Sequence, residues 1–82
     1  MKNPSLEKES AMAPKPGFST LIRNARNKRG LSVVEVAESV GVSTASIYSW
    51  ETDRGRPRDT NLSALCKVLK LPVRATKELA AE

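Results

Sequence analysis

Between Val33 and Thr52 the apolar positions follow two helical spacings separated by a break. Val36, Ala37 and Val40 share a face by the i, i+1, i+4 rule. Ile47 and Trp50, three apart, share a face of a second helix. Ser32 stands where it can cap the first helix, and Glu35, three residues on, completes a capping box. Gly41 falls where that helix must stop, because a residue without a Cβ enters the left-handed region at little cost. Ser43 is placed to cap the second helix. Ala37 offers a small side chain where two helices would cross closely. The stretch predicts two short helices joined by a turn of about three residues, their apolar faces turned toward each other.

The flanks extend the pattern. Residues 1–17, MKNPSLEKESAMAPKPG, carry three of the five prolines and almost no large apolar residue, which predicts an N-terminal arm. Phe18 to Arg29 predicts a first helix, with Ser19 or Thr20 as cap, Leu21, Ile22 and Ala25 as apolar face, Phe18 at its edge, and Gly30 as stop. Arg23, Arg26, Lys28 and Arg29 make this helix basic, and Leu31 packs the start of the next. After Thr52 the run TDRGRPRD reads as a loop in which Arg54, Arg56 and Arg58 alternate around Gly55 and Pro57. Thr60 then caps a helix with the stripe Leu62, Leu65, Cys66, Val68 and Leu69. Leu71-Pro72 ends it, and Pro72 suits the first turn of a fifth helix. In residues 73–81, Val73, Thr76, Leu79 and Ala80 line one side. So short a helix is marginal alone and needs a partner, either its own domain or its copy in a second subunit. The second is favoured, which makes residues 72–81 a dimerisation element. The predicted fold class is all-α: a compact bundle of about five short helices over residues 18–82, preceded by the arm.

Composition narrows the chemistry. Eighty-two residues allow one small domain, so helix packing or oligomerisation must supplement a modest core. The net charge of +5 and isoelectric point near 9.8 favour a polyanionic partner. A single cysteine, Cys66, excludes an internal disulfide and is expected as a small buried hydrophobe. The absence of histidine removes the commonest metal ligand, so neither a metal nor a cofactor is expected. No paired catalytic groups, glycine-rich phosphate loop or carboxylate dyad occur, which argues against an enzyme. The longest apolar run is three residues, so neither a membrane span nor a signal peptide is expected, and the cytoplasm is the expected location.

The run RNKRGLSVVEVAESVGVSTASIYSWETDRGRP resembles the Cro/repressor family of helix-turn-helix proteins, the lambda-repressor-like domains. The likeness spans roughly residues 20 to 72 and includes the spaced hydrophobics, the small Ala37, the turn glycine Gly41, the Trp50-Glu51 pair and the Gly-x-Pro that follows. It implies that Thr44 to Glu51 is a recognition helix lying in the DNA major groove. Thr44, Ala45, Tyr48 and Ser49 would then face base edges, with Ser46 nearer the DNA backbone. The family's arginine four residues before the glycine is Arg26, and the resemblance implies that it pairs with Glu51. Arg26, Ala37, Gly41, Ile47, Trp50 and Glu51 would form the scaffold. Where the family often carries a phosphate-binding glutamine, this chain has Val33, so Ser32 and the backbone amides at that helix start remain as donors. Ser43, Ser46, Arg23, Arg54, Arg56 and Arg58 complete the expected phosphate contacts. The reading face carries no Arg, Lys, Gln or Asn for bidentate base recognition. Thymine-methyl contact, water and DNA shape would then contribute more of the specificity.

The function implied is a sequence-specific transcriptional regulator of a prokaryote-like cell. Its expected form is a homodimeric repressor on a palindromic operator overlapping a promoter. A plasmid Kor-type repressor is the narrowest version. RNA polymerase is a further expected partner if the protein activates. The rival is an antitoxin-like or polymerase-contacting interaction module in which DNA binding is secondary, kept open by the bland reading face. RNA is disfavoured because stacking aromatics are scarce, only Phe18, Tyr48 and Trp50 being present.

Overall fold

The computed structural model describes residues 17–81, and the arm expected over residues 1–17 lies outside them except for Gly17. Five helices follow in order: α1 Phe18–Lys28, α2 Val33–Val40, α3 Thr44–Glu51, α4 Asp59–Leu69 and α5 Val73–Ala80, with no strand among the described residues.

The start of α1 differs from the sequence expectation. Gly17, not Ser19 or Thr20, precedes the helix, and no side chain caps it. The reason is Phe18. Its ring is only 1% exposed, so the helix must begin at Phe18 to aim that ring into the core rather than leave it at an edge. The helix ends at Lys28, and Gly30 adopts φ +70. Arg26 O then accepts the Leu31 N–H at 3.1 Å, turning the chain toward α2.

Local chemistry determines both ends of α2. Ser32 Oγ accepts the Glu35 N–H at 3.0 Å, and Glu35 Oε1 accepts the Ser32 N–H at 2.8 Å. This capping box satisfies two amides that the helix itself cannot. At the far end Gly41 sits at φ +89, and the Gly41 and Val42 amides both donate to the Ala37 carbonyl. Ser43 then caps α3 by accepting the Ser46 N–H at 3.2 Å.

The fourth helix begins two residues earlier than its Thr60 cap predicts. Arg58 is its N-cap without a side-chain bond, and Asp59 occupies the first helical position, where its charge suits the helix dipole. It ends at Lys70, a left-handed residue at φ +59 that is not glycine. The Lys70 and Leu71 amides both donate to the Cys66 carbonyl, and Pro72 is the N-cap of α5, one residue before its expected place in the first turn.

Phe18 and Ile22 of α1, Val36 and Ala37 of α2, Ile47 and Trp50 of α3, and Leu62, Leu65, Cys66 and Leu69 of α4 form the core. Helix α2 packs on α3 and α4, α1 reaches α3, and α5 folds back on α4 and α1. That last docking corrects part of the dimer expectation. Thr76 is 1% exposed within the protomer, and Leu79 and Ala80 pack against its core. Of the four residues on that side, Val73 alone stays substantially open, at 40%. The helix has spent most of its apolar face on its own domain, because a short helix at the end of a small core gains most by covering it.

Candidate nucleic-acid interface

The orientation of α3 is determined by a brace to α1. Arg26 Nε donates to Glu51 Oε2 at 2.6 Å and Nη2 to Glu51 Oε1 at 3.0 Å, while Nη1 donates to the Leu31 carbonyl at 3.0 Å. Glu51 is 5% exposed, so both carboxylate oxygens meet the guanidinium away from water. Donation of these hydrogen bonds to the Glu51 carboxylate holds the Arg26 guanidinium pKa above its ordinary value despite the opposing effect of burial. Ile47 and Trp50 face the core from the same helix. One face of α3 is thereby fixed inward, and its opposite face is determined with it.

That outward face carries Thr44, Ala45 and Tyr48, all exposed, Tyr48 at 57%. Ser49 is only half-buried, but it lies beneath the following loop. Ala45, Tyr48, Ser49, Thr52 and Arg54 line one open groove. Thr52 Oγ1 donates back to the Tyr48 carbonyl at 2.7 Å. Asp53 then takes φ +65, and the Arg54 N–H closes on the Ser49 carbonyl at 2.9 Å. This left-handed end folds the loop against the outward face and brings Arg54 to the rim of the groove.

The other polar candidates divide into free and engaged groups. Arg23, Arg54, Arg56 and Arg58 are all exposed. The Ser32 and Ser43 hydroxyls serve their caps, Ser46 Oγ lies 3.2 Å from Ser43 Oγ, and the Val33 side chain is buried. With the Ser32 amide held by Glu35 Oε1, the backbone amides at Val33 and Ser43 are the groups at these two helix starts that could meet a phosphate, rather than the side chains. Arg56 departs from the expectation of an outward clamp. It pairs with Asp53 Oδ1 at 2.6 Å, donates from Nε to the Ala80 carbonyl at 3.1 Å, and lies over the Phe18 ring at 5.1 Å from the centroid. Thr52, Asp53 and Gly55 were absent from the expected site. The tolerance of Asp for the left-handed region was the available signal for the turn.

No helix of the described residues is long and apolar enough to cross a membrane, and no cluster of three metal-ligating residues occurs among them. The helix-turn-helix family model matches residues 22–75, well over half of the chain. The chain belongs to the helix-turn-helix family of the Cro/C1 type. That membership makes it a DNA-binding transcription regulator rather than an enzyme. No curated protein matches it in sequence. Among solved structures, the helix-turn-helix domain resembles the DNA-binding domain of the P22 C2 repressor, with TM-score 0.72 and 26% identity over 85% of this chain and 95% of that one. The clp gene regulator ClgR of Corynebacterium glutamicum gives TM-score 0.69 and 25% identity, over 83% of this chain and 77% of that one. SinR, a master regulator for biofilm formation solved in complex with DNA, gives 0.67 and 26%, over 73% and 97%.

Proposed function

We propose that this helix-turn-helix protein is a repressor that binds a two-fold DNA operator as a pair of copies and blocks transcription by occupying promoter DNA. The observation carrying the reading is the split character of α3. One face is locked to α1 through Arg26 and Glu51, and the other presents Thr44, Ala45 and Tyr48 to solvent with Arg54 at its edge. A helix held this rigidly, with a small polar outer face and cationic flank, fits a major groove. The likeness to the DNA-bound SinR and to the P22 C2 repressor domain supports the same reading. Arg23, Arg54 and Arg58 supply phosphate contacts, joined by the backbone amides at the starts of α2 and α3. Thr44, Ala45, Tyr48 and Ser49 read bases. Two-fold pairing brings two such helices to half-sites about one helical turn apart. Val73 is the surviving C-terminal candidate for contact between copies.

Binding of the full chain to a duplex enriched from a random-sequence pool tests the reading. Tyr48→Ala should weaken binding about tenfold, an effect in the range of a single base-edge interaction. Arg58→Ala should lower the log–log salt slope by about 0.9, the share of one neutralised phosphate. A chain that enriches no sequence, or variants that bind as the wild type does, would end the proposal.

One observation favours a second role. Val34, 52% exposed, stands beside exposed Glu35 and Glu38 on α2, an apolar and acidic surface suited to a protein partner such as RNA polymerase. Val34→Ser that leaves DNA affinity intact but alters transcription from a bound promoter would support it. No change in transcription would remove it.

A further inference from the structure

Arg56 is one of three alternating arginines in the loop after α3, yet its guanidinium is engaged by its own loop and by two helices. Nη1 pairs with Asp53 of its own loop at 2.6 Å. Nε donates to the Ala80 carbonyl at 3.1 Å, in the last turn of α5, where helical carbonyls lack partners of their own. The guanidinium carbon stands 5.1 Å from the centroid of Phe18, the first residue of α1. About a third of the side chain, 34%, stays exposed.

The loop it anchors bears directly on the reading face. Arg54 N–H bonds to the Ser49 carbonyl at 2.9 Å, and its side chain edges the groove shared with Ala45 and Tyr48. Between the two arginines lies Gly55, where a Cβ would meet Ser49 Oγ at 2.9 Å. The loop thus presses on Ser49 at one end and is tied to the C-terminal helix at the other.

We propose that Arg56 is a positioning residue. By joining the end of α5 to the loop after α3, it holds Arg54 and Ser49 where DNA meets them and couples DNA affinity to the docking of α5. The proposal rests on the DNA-binding reading above. It requires a guanidinium and not merely a positive charge. Nε and Nη1 serve two acceptors on different elements while the same group lies over an aromatic ring. An ammonium on a flexible stem cannot reproduce that arrangement.

The test compares full-length wild type with Arg56→Ala, Arg56→Lys, Arg54→Ala and the Arg54→Ala/Arg56→Ala pair. Each is titrated against the enriched duplex across a sodium chloride series. A positioning role predicts that Lys fails as Ala does, each weakening binding about tenfold, and that Arg56→Ala adds less than about twofold once Arg54 is gone. A direct phosphate contact predicts the opposite. Lys would then keep wild-type affinity, and Ala would lower the salt slope by about 0.9 whether or not Arg54 is present. Either result overturns the proposal.

A second measurement needs no DNA. Amide exchange at Arg54, whose N–H is held by Ser49, should quicken at least about tenfold in Arg56→Lys, a local opening. Amides of α2, which Arg56 does not touch, should keep their rates and so report that the variant is folded. Unchanged Arg54 exchange overturns the coupling even if DNA binding holds. Quickened exchange in a chain that binds no duplex would uphold the coupling and overturn the function instead.

Discussion

Helices α2 and α5 are each eight residues long, yet they are held in opposite ways. Helix α2 carries its own instructions: a reciprocal capping box at Ser32 and Glu35, a left-handed glycine at Gly41, and three buried apolar residues, Val33, Val36 and Ala37. Helix α5 has Pro72 before it, no side-chain cap, and a single buried residue, the polar Thr76. Its position comes from other elements: Leu79 and Ala80 packed on the core, Arg56 on the Ala80 carbonyl, and Lys77 beside Asp59. Equal length therefore conceals unequal stability. Local signals mark both ends of α2, although eight residues still need tertiary packing, whereas α5 takes its position from the surface that the rest of the domain offers it.

The largest effect is expected in the braced half. Glu51→Ala strands the Arg26 guanidinium beside a buried cavity, and breaking a buried pair from one side costs roughly 3–5 kcal/mol. The urea midpoint measures it, provided the slope of the transition stays constant. A loss below about 1 kcal/mol would show that the brace merely decorates the α1–α3 contact. Because the folded pair raises Arg26 above its unfolded value, its contribution is fully present below that value. It is lost only as pH rises through the raised one, so the brace holds across neutral and moderately alkaline pH.

Next comes the end of α2. Gly41→Ala places a Cβ at φ +89, which costs about 1–2 kcal/mol even though no atom obstructs it. The strain is in the backbone alone. A neutral result would mean that the α2 terminus can rearrange, and that α2 and α5 differ less than their caps suggest.

For α5 the sign reverses. Thr76 Oγ1 has the Cys66 thiol as neighbour and no conventional hydrogen-bond partner. Thr76→Val removes an unsatisfied buried hydroxyl at constant volume and should stabilise the protein by about 1 kcal/mol. Cys66 gives an independent readout. Burial pushes its thiol up, only partly offset by the Thr76 hydroxyl, so the native side chain should resist alkylation. That raised value also means stability is lost as pH rises through the thiol range. Alkylation through departure of α5 should show a weaker urea dependence than global unfolding, and Thr76→Val should slow it. Destabilisation by Thr76→Val would show that the hydroxyl–thiol contact matters more than its chemistry suggests.

The same contrast explains what could be read from residues. Ser32, Glu35, Gly41 and Ser43 act within a few positions of themselves, so the boundaries of α2 and α3 were legible. The family resemblance added the Arg26–Glu51 pair, which joins residues 25 apart in sequence. Capping propensity misled at α1 and α4. Burial of Phe18 began one helix before Ser19, and Asp59 began the other before Thr60. The engagement of Arg56 was not legible, because two of its partners, Phe18 and Ala80, come from opposite ends of the fold. An arginine between two other arginines looks like a phosphate ligand until the chain returns to meet it. Thr76 misled for a related reason: its helical spacing with Val73 and Ala80 defines a face but does not say what covers it.

The smallest expected effect isolates what pins α5. Lys77 Nζ lies 3.1 Å from Asp59 Oδ2, with the two side chains 54% and 74% exposed. Water and salt screen such a pair, and holding a long lysine in one place costs rotamer freedom, so Lys77→Ala should change stability by less than about 0.5 kcal/mol. Asp59→Asn should cost more than Lys77→Ala, because Asp59 also complements the dipole at the start of α4. Their double-mutant coupling should be below about 0.5 kcal/mol and should vanish in high salt. A coupling above about 1 kcal/mol that persists in salt would mean that charge, not packing and Arg56, holds the C-terminal helix. Weak coupling leaves the Ala80 carbonyl as the polar attachment through which movement of α5 reaches the loop beside the reading helix.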